Sequence, residues 1–457
     1  MLTVDSHPRG LRYLYAAVAG HAFAWYTVYN LFVLWLKHSG QTDAAATSNY
    51  GNLVVAAYLL PLLGGFVAAK TSPLRTALVG AAVACCGYGV LTMATTPSST
   101  TLVALAAITL GVGLSKPNLS AMVGRLFPSG SVHADAAFAR YYSYINVGSF
   151  FSPIVGGALA ASISYRAAFF VAVFGELVVV ASLLLGRRHL AVTSSQSSLV
   201  ALVGDDVAVP GKLVDDHVGH EPAVDALKHR KLVALWIFFA FAALAFWPAY
   251  AQNGSGLNLW ALDHTDRAVL GYTVPPTWFA TINSIICIVA SVPLIRVFSR
   301  VSLSSSTAAG YVLMAASFGT LLIAPSLAAS PGYLVVSIVL SSLSEVLIST
   351  VGLAQVAKLA PRHQASTYMA VWYLTVAVGG KLAGVMGGLG LQTGFRVLTV
   401  AALIAAALTL AVRRWLDVAV VAPGSSQEAV TSGQSGRSMA ASSSQLVARP
   451  VRAGSEV

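Results

Sequence analysis

The sequence predicts an all-α membrane protein of twelve transmembrane helices, arranged as two six-helix bundles with both termini in the cytoplasm. Three observations carry this. Of 457 residues, 56% are hydrophobic and only 9% charged, too little charge for a soluble domain of that size. Apolar runs recur near 11–36, 52–70, 74–95, 101–126, 137–162, 164–186, 232–254, 273–296, 305–325, 332–357, 365–390 and 394–413, and a helix needs roughly 20 such residues to cross the hydrocarbon core. One long polar interruption, 187–231, divides these runs six and six.

In chain order, the first run is too long and too studded with polar residues for a signal peptide, and no small-residue cleavage site follows it. Residues 1–186 form the predicted first bundle. The interruption at 187–231 holds Asp205, Asp206, Asp215 and Asp216 and then a basic KHRK cluster, as expected of a cytoplasmic linker between related bundles. Residues 232–414 form the second bundle. The stretch 415–457 is rich in Ser, Gly and Ala and is expected to be a disordered tail. Loop cations fix the orientation. From Arg9 and Arg12 through Arg187 and Arg188 to Arg413 and Arg414 they fall on the side of the N-terminus, while Lys37, Arg166, Arg267 and Arg396 fall opposite. That asymmetry places both termini inside. The net charge of +11 is therefore a topology signal, not a nucleic-acid surface. Cys85, Cys86 and Cys287 lie within helices and read as packing residues. No nucleophile–base pair, metal-ligand cluster or nucleotide loop is present, so neither an enzyme nor a cofactor is expected.

Two opposite charges lie deep in apolar helices. Lys116 sits in LVALAAITLGVGLSKPNLSAMVG and Glu345 in YLVVSIVLSSLSEVLISTVGL. An ionised group at the bilayer centre costs at least about 2.5–3.5 kcal/mol, so such groups are kept where they face a cavity, a partner or a substrate. The two occupy equivalent helices, the fourth and the tenth. Lys116 is about 13 Å from Arg125, and Glu345 about 20 Å from Lys358, at 1.5 Å per residue. A cation in one half and an anion in the other suit a zwitterion lying between the bundles. The alternative is a salt bridge that gates or stabilises the halves. Lys381, in GGKLAGVMGG, is a possible cavity charge, and Glu176, in the sixth helix, a weaker candidate. His21, Trp25 and Tyr29 recur every four residues and share a helix face.

Several segments resemble the proton-dependent oligopeptide transporter family of the major facilitator superfamily. The second helix reads AYLLPLLGGFVA, with Tyr58, Pro61, Gly64 and Gly65 at the family's spacing; the fourth reads GVGLSKPNLSAMVG; the fifth AFARYYSYINVGSFFSPIVGG; the seventh ends AYAQNGSGLNLWA; the eighth reads PPTWFATINSI; the tenth SEVLISTVGLAQVAKLAPR; the eleventh YMAVWYLTVAVGGKLAG. The matches run in order over most of the membrane region. The resemblance implies a major facilitator fold and a peptide site. Glu345 would face the ammonium end, Lys116 the carboxylate or the coupled proton. Tyr26, Tyr58, Asn146 and Asn283 would supply hydrogen bonds, and Trp372 would wall a side-chain pocket. The chain departs from the family in the first helix, where a Glu-x-x-Glu-Arg run is replaced by Val18, His21 and Ala22. His21, which titrates near neutral pH when unperturbed, is then expected to line the cavity and, with Lys116 and Glu345, to be a proton-coupling candidate.

The expected function is alternating-access transport of di- or tripeptides or similar zwitterions, linked to protons. An uncoupled facilitator, an exporter of another amine-bearing compound and a non-transporting sensor stay open. The expected partners are the small solute, protons and the bilayer, with no nucleic acid, for a chain acting as a monomer. A bacterial cytoplasmic membrane is favoured over a eukaryotic plasma or lysosomal one.

Overall fold

A computed structural model describes residues 8–127, 131–204, 222–269, 271–298, 301–359 and 365–420. With α1 (Gly10–His38) rising from bottom to top, α2 (Asp43–Lys70) descends, and α3 (Pro73–Leu91), α4 (Ser99–Arg125), α5 (Val132–Ser162) and α6 (Tyr165–Gly204) continue the alternation. The seventh passage is broken. It consists of α7 (Pro222–Phe241), a π-helical turn at Ala242–Phe246, α8 (Trp247–Tyr250), a 3-10 turn and α9 (Gly256–Asp263). A hairpin of β1 (Ala268–Val269) and β2 (Tyr272–Thr273) follows at the top, then a 3-10 turn, Pro276–Ala280. The remaining passages are α10 (Thr281–Phe298), α11 (Leu303–Leu322), α12 (Pro331–Leu359), α13 (Ala365–Gly388) and α14 (Leu391–Ala411), and α15 (Arg413–Val420) is a short appendage.

Among the described residues, eleven helices are long and apolar enough to cross a membrane, and the shorter apolar Pro276–Ala290 stands in the one remaining predicted place. Several boundaries differ, and α7 starts at Pro222, within the predicted linker. α2 starts well before the predicted run, because the Thr42 side chain caps the Ala45 N–H and the alanines that follow are strong helix formers. α6 continues to Gly204 with no proline to stop it, past the predicted linker start at 187. The centre of that linker, 205–221, and the tail from 421 lie outside the described residues. Within 415–420 the chain is helical as part of α15.

The exterior differs from that of a water-soluble protein. Large apolar side chains such as Phe66, Leu102, Val103 and Val289 are exposed, while Ser115, Ser337, Ser342 and Ser344 are buried. Several buried hydroxyls bond back to their own helix: Thr27 donates to the Phe23 carbonyl at 2.7 Å and Ser342 to that of Ile338 at 2.6 Å. With no water in a bilayer core, polar groups must be satisfied internally. Small residues let helices approach closely. In the GVG run of α4, Gly111 packs on α3, where a methyl would strike Ala84, and Gly113 packs on α2, where it would strike Leu60.

The two bundles meet through their upper halves. Asn258 donates to the Asn30 carbonyl at 3.0 Å, joining α9 to α1. Thr277 and Trp278 donate to the Pro153 and Ile154 carbonyls of α5 at 2.9 and 3.0 Å. Thr47 of α2 donates to the Gly384 carbonyl of α13 at 3.3 Å. Lys37 lies 2.5 Å from Asp263 across the bundles and 2.8 Å from Asp43.

Candidate functional site

Glu345 lies at mid-height of α12 and is buried. Asn283, in the first turn of α10, donates to its Oε2 at 2.7 Å and to the Ser342 hydroxyl at 3.0 Å. Ser342 stands one turn before Glu345, so one amide spans adjacent turns of α12. The Cys287 thiol, one turn on from Asn283, is 3.6 Å from the same carboxylate oxygen. The Tyr250 hydroxyl of α8 also lies close to the carboxylate. Tyr250 follows the π turn, an element whose extra residue re-aims the side chains after it. All these partners are neutral donors. Among the described residues no cation forms an ion pair with Glu345, so the carboxylate is solvated without being matched in charge.

Across the molecule, Lys116 of α4 is half-buried, with its ammonium 4.8 Å from the centre of the Tyr58 ring on α2. A cation over an aromatic face gains about 0.5–2 kcal/mol without losing its charge. Tyr26 on α1 stands between the two ends. It lies within electrostatic reach of Glu345 and near Tyr58, and its ring packs edge-on against Tyr29 at 5.5 Å. Tyr29 packs in turn on Tyr50 at 5.3 Å. Lys116, Tyr58, Tyr26 and Glu345 therefore share one polar neighbourhood that draws on both bundles. Chemically it offers a cation, two phenol hydroxyls and an anion, and among the described residues the two charges form no ion pair with each other.

The other predicted groups are Asn146 and Trp372. Asn146 is buried in α5 and its amide donates to its own helix at the Tyr142 carbonyl, 3.0 Å away. Tyr142 itself lies within electrostatic reach of Glu345. Ser149 and Ser284 bond at 2.8 Å and tie α5 to α10 beside the site. Trp372 is buried in an aromatic cluster, stacked on Phe238 with centroids 5.3 Å apart and edge-on to Trp247 at 5.4 Å. Sequence reasoning missed Tyr250, Cys287, Tyr142 and Ser342. The helical interval carried a signal for two of them: Cys287 is four residues after Asn283, and Ser342 three before Glu345.

A profile of the POT family matches residues 74–210 and 206–393. The chain belongs to the POT family. Dipeptide and tripeptide permease A of Citrobacter koseri is 26% identical over 429 residues, covering 84% of this chain and 85% of that protein. A mutant of a peptide transporter POT, solved in complex with alafosfalin, matches with a TM-score of 0.80 at 21% identity over 91% of this chain and 96% of that one. A POT family transporter in complex with 5-aminolevulinic acid matches at 0.77 and 20% identity, over 90% and 97%. At these identities the solved structures establish the shared two-bundle fold.

Two charges of this POT family chain are not placed as the sequence suggested. His21 does not line the space between the bundles. It is buried, with Nδ1 2.7 Å from Glu176 Oε1, so it clips α1 to α6 inside the first bundle. The reason is local: Gly20 and Gly175 cross so closely that a methyl on either would strike the other's carbonyl, and the crossing brings the next residues together. Glu176, the weaker candidate, is thus the partner of the stronger one. Lys381 is likewise no cavity charge. It stands on an exposed apolar stripe with Leu374, Val378 and Val385, and its Nζ donates to Asn52 Oδ1 at 2.7 Å.

Proposed function

We propose that this protein carries di- and tripeptides or peptide-like zwitterions across a membrane by alternating access, with Glu345 receiving the ammonium end and Lys116 the carboxylate. The observation that carries this reading is the pair of deep, opposite, mutually unpaired charges, one in each bundle, with Tyr58 beside Lys116 and Tyr26 within electrostatic reach of Glu345. A free zwitterion is the solute that neutralises both at once. A buried carboxylate with only neutral donors is an incomplete ion pair, and an incoming ammonium completes it with charge-assisted hydrogen bonds. The permease name of the Citrobacter koseri relative and the amino-group ligand of the 5-aminolevulinic acid complex support the same chemistry.

Tyr26, Tyr58, Asn146 and Asn283 serve as hydrogen-bonding groups in this reading, and Trp372 as an apolar wall. Transport follows when the bundles rock about this mid-height site. The contacts in the upper halves support a conformation sealed at the top and entered from the side of the termini, which the loop charges place in the cytoplasm. Both bundles contribute to one site within one chain, so the working unit is a monomer. The bacterial relatives support a bacterial cytoplasmic membrane.

Proton linkage in this reading falls to Glu345 and Lys116. The enclosure of His21 by Glu176 favours a second reading, an uncoupled facilitator, because it removes the expected first-helix group from the pathway. The substrate assignment is tested by competition with a labelled dipeptide. Free dipeptide should compete, and its N-acetyl form should lose at least about tenfold, the value of one charge-assisted hydrogen bond of about 1.5–3 kcal/mol. Equal competition by both would remove Glu345 as the ammonium site.

A further inference from the structure

A crevice with a volume of about 400 Å³ opens on the outside of the first bundle, between the upper parts of α1, α2 and α4. Its size lies within the roughly 300–1,000 Å³ of small-ligand sites. It is distinct from the mid-height site: none of Glu345, Asn283, Tyr26 or Lys116 lines it. Its walls are mixed. Phe32, Leu53 and Leu105 supply apolar surface, and Asn49, Asn52 and Thr101 supply polar groups. Pro97 and Ser98 stand at its upper end and Thr109 at its lower. From Ser99, where α4 begins, to Thr109 is about 15 Å at 1.5 Å per residue, so polar groups continue from the membrane surface well into the hydrocarbon zone.

Asn52 connects this crevice to Lys381. The amide oxygen accepts the Lys381 ammonium at 2.7 Å, and Lys381 rises from a stripe of exposed Leu374, Val378 and Val385 on α13. A charge on such a surface is costly unless it reaches water or a counter-charge. Snorkelling is poorly placed to relieve it. α13 rises, and side chains lean toward a helix N-terminus, so Lys381 leans away from the nearer surface at the top. Among the described residues no carboxylate pairs with it. An ammonium has three donors, and Asn52 takes one.

We propose that this crevice binds an acidic phospholipid of the leaflet at the top, with the lipid phosphodiester on Lys381 and Asn52 and an acyl chain along Phe32, Leu53 and Leu105. The polar groups along the crevice carry the headgroup down to the ammonium, and the phosphate supplies the missing negative charge. Because Lys381 lies on α13 and the crevice on the first bundle, a bound lipid bridges the two bundles where α2 meets α13.

The test uses the full chain, delipidated in detergent and titrated separately with phosphatidylglycerol, phosphatidylcholine and inorganic phosphate. Native mass spectrometry counts retained lipid and thermal melting reads stabilisation. Phosphatidylglycerol should be retained about tenfold or more over phosphatidylcholine, the scale of one charge-assisted contact. Lys381→Gln should abolish that preference, Lys381→Arg should keep it, and Leu102→Trp, which narrows the crevice without touching charge, should weaken it. Equal preference in wild type and Lys381→Gln, or no preference at all, would overturn the site. Stabilisation by inorganic phosphate equal to that by phosphatidylglycerol would overturn the lipid as its occupant.

Discussion

At the scale of single residues, the site depends on how Glu345 is held. Asn283→Ala removes its shortest hydrogen bond and should weaken dipeptide binding about tenfold or more, since hydrogen bonds to charged groups contribute about 1.5–3 kcal/mol; a competition isotherm checks this. The His21–Glu176 clip makes the opposite kind of prediction. His21→Ala leaves a buried carboxylate unmatched and should destabilise the fold by about 3–5 kcal/mol, whereas the double change His21→Leu with Glu176→Leu should recover most of that loss. Thermal melting of the three forms checks it. If the double variant melts no higher than the single one, the pair is not a clip. The sequence made Lys116 and Glu345 legible because a deep charge in an apolar run is conspicuous without any structure. It could not show which way His21 and Lys381 face. That depends on helix crossings, the Gly20–Gly175 approach for one and the α2–α13 contact for the other, and neither leaves a local pattern in the chain.

Helices and their crossings form the next scale. Twelve passages were legible from run length alone, because a bilayer fixes how long an apolar helix must be. Their ends were less so: α2 begins at a polar cap ahead of its apolar stretch, and the seventh passage contains a π turn that hydropathy does not register. The structure assigns each glycine of the α4 GVG run a partner helix. Gly113→Leu should therefore force α2 off α4 and destabilise by about 1–3 kcal/mol, the usual cost of overpacking, measured as a lower melting temperature. At the upper closure, Lys37 and Asp263 are about one-third exposed, so their pair contributes at most about 1 kcal/mol. Asp263→Asn should raise labelling of a cysteine placed in the upper half of α1 by no more than about fivefold, and a larger rise would mean that this pair alone holds the top shut.

For the whole molecule, each bundle carries one deep charge, Lys116 in the first and Glu345 in the second, and the proposed reading places both at one centre below the contacts that join the upper halves. A solute that bridges the charges couples to the relative position of the bundles, because each end of it belongs to a different one. Transport, and not mere binding, follows from that arrangement when the bundles exchange one closed end for the other. The most direct measurement is uptake of a labelled dipeptide into proteoliposomes, with and without an inward proton gradient, for the wild type and for Glu345→Gln. The account predicts saturable uptake in the wild type, accumulation above equilibrium when the gradient is imposed, and loss of accumulation in Glu345→Gln. Equilibration alone would leave a facilitator with the same site. Binding of the dipeptide with no flux under either condition would contradict the claim that this chain is a carrier.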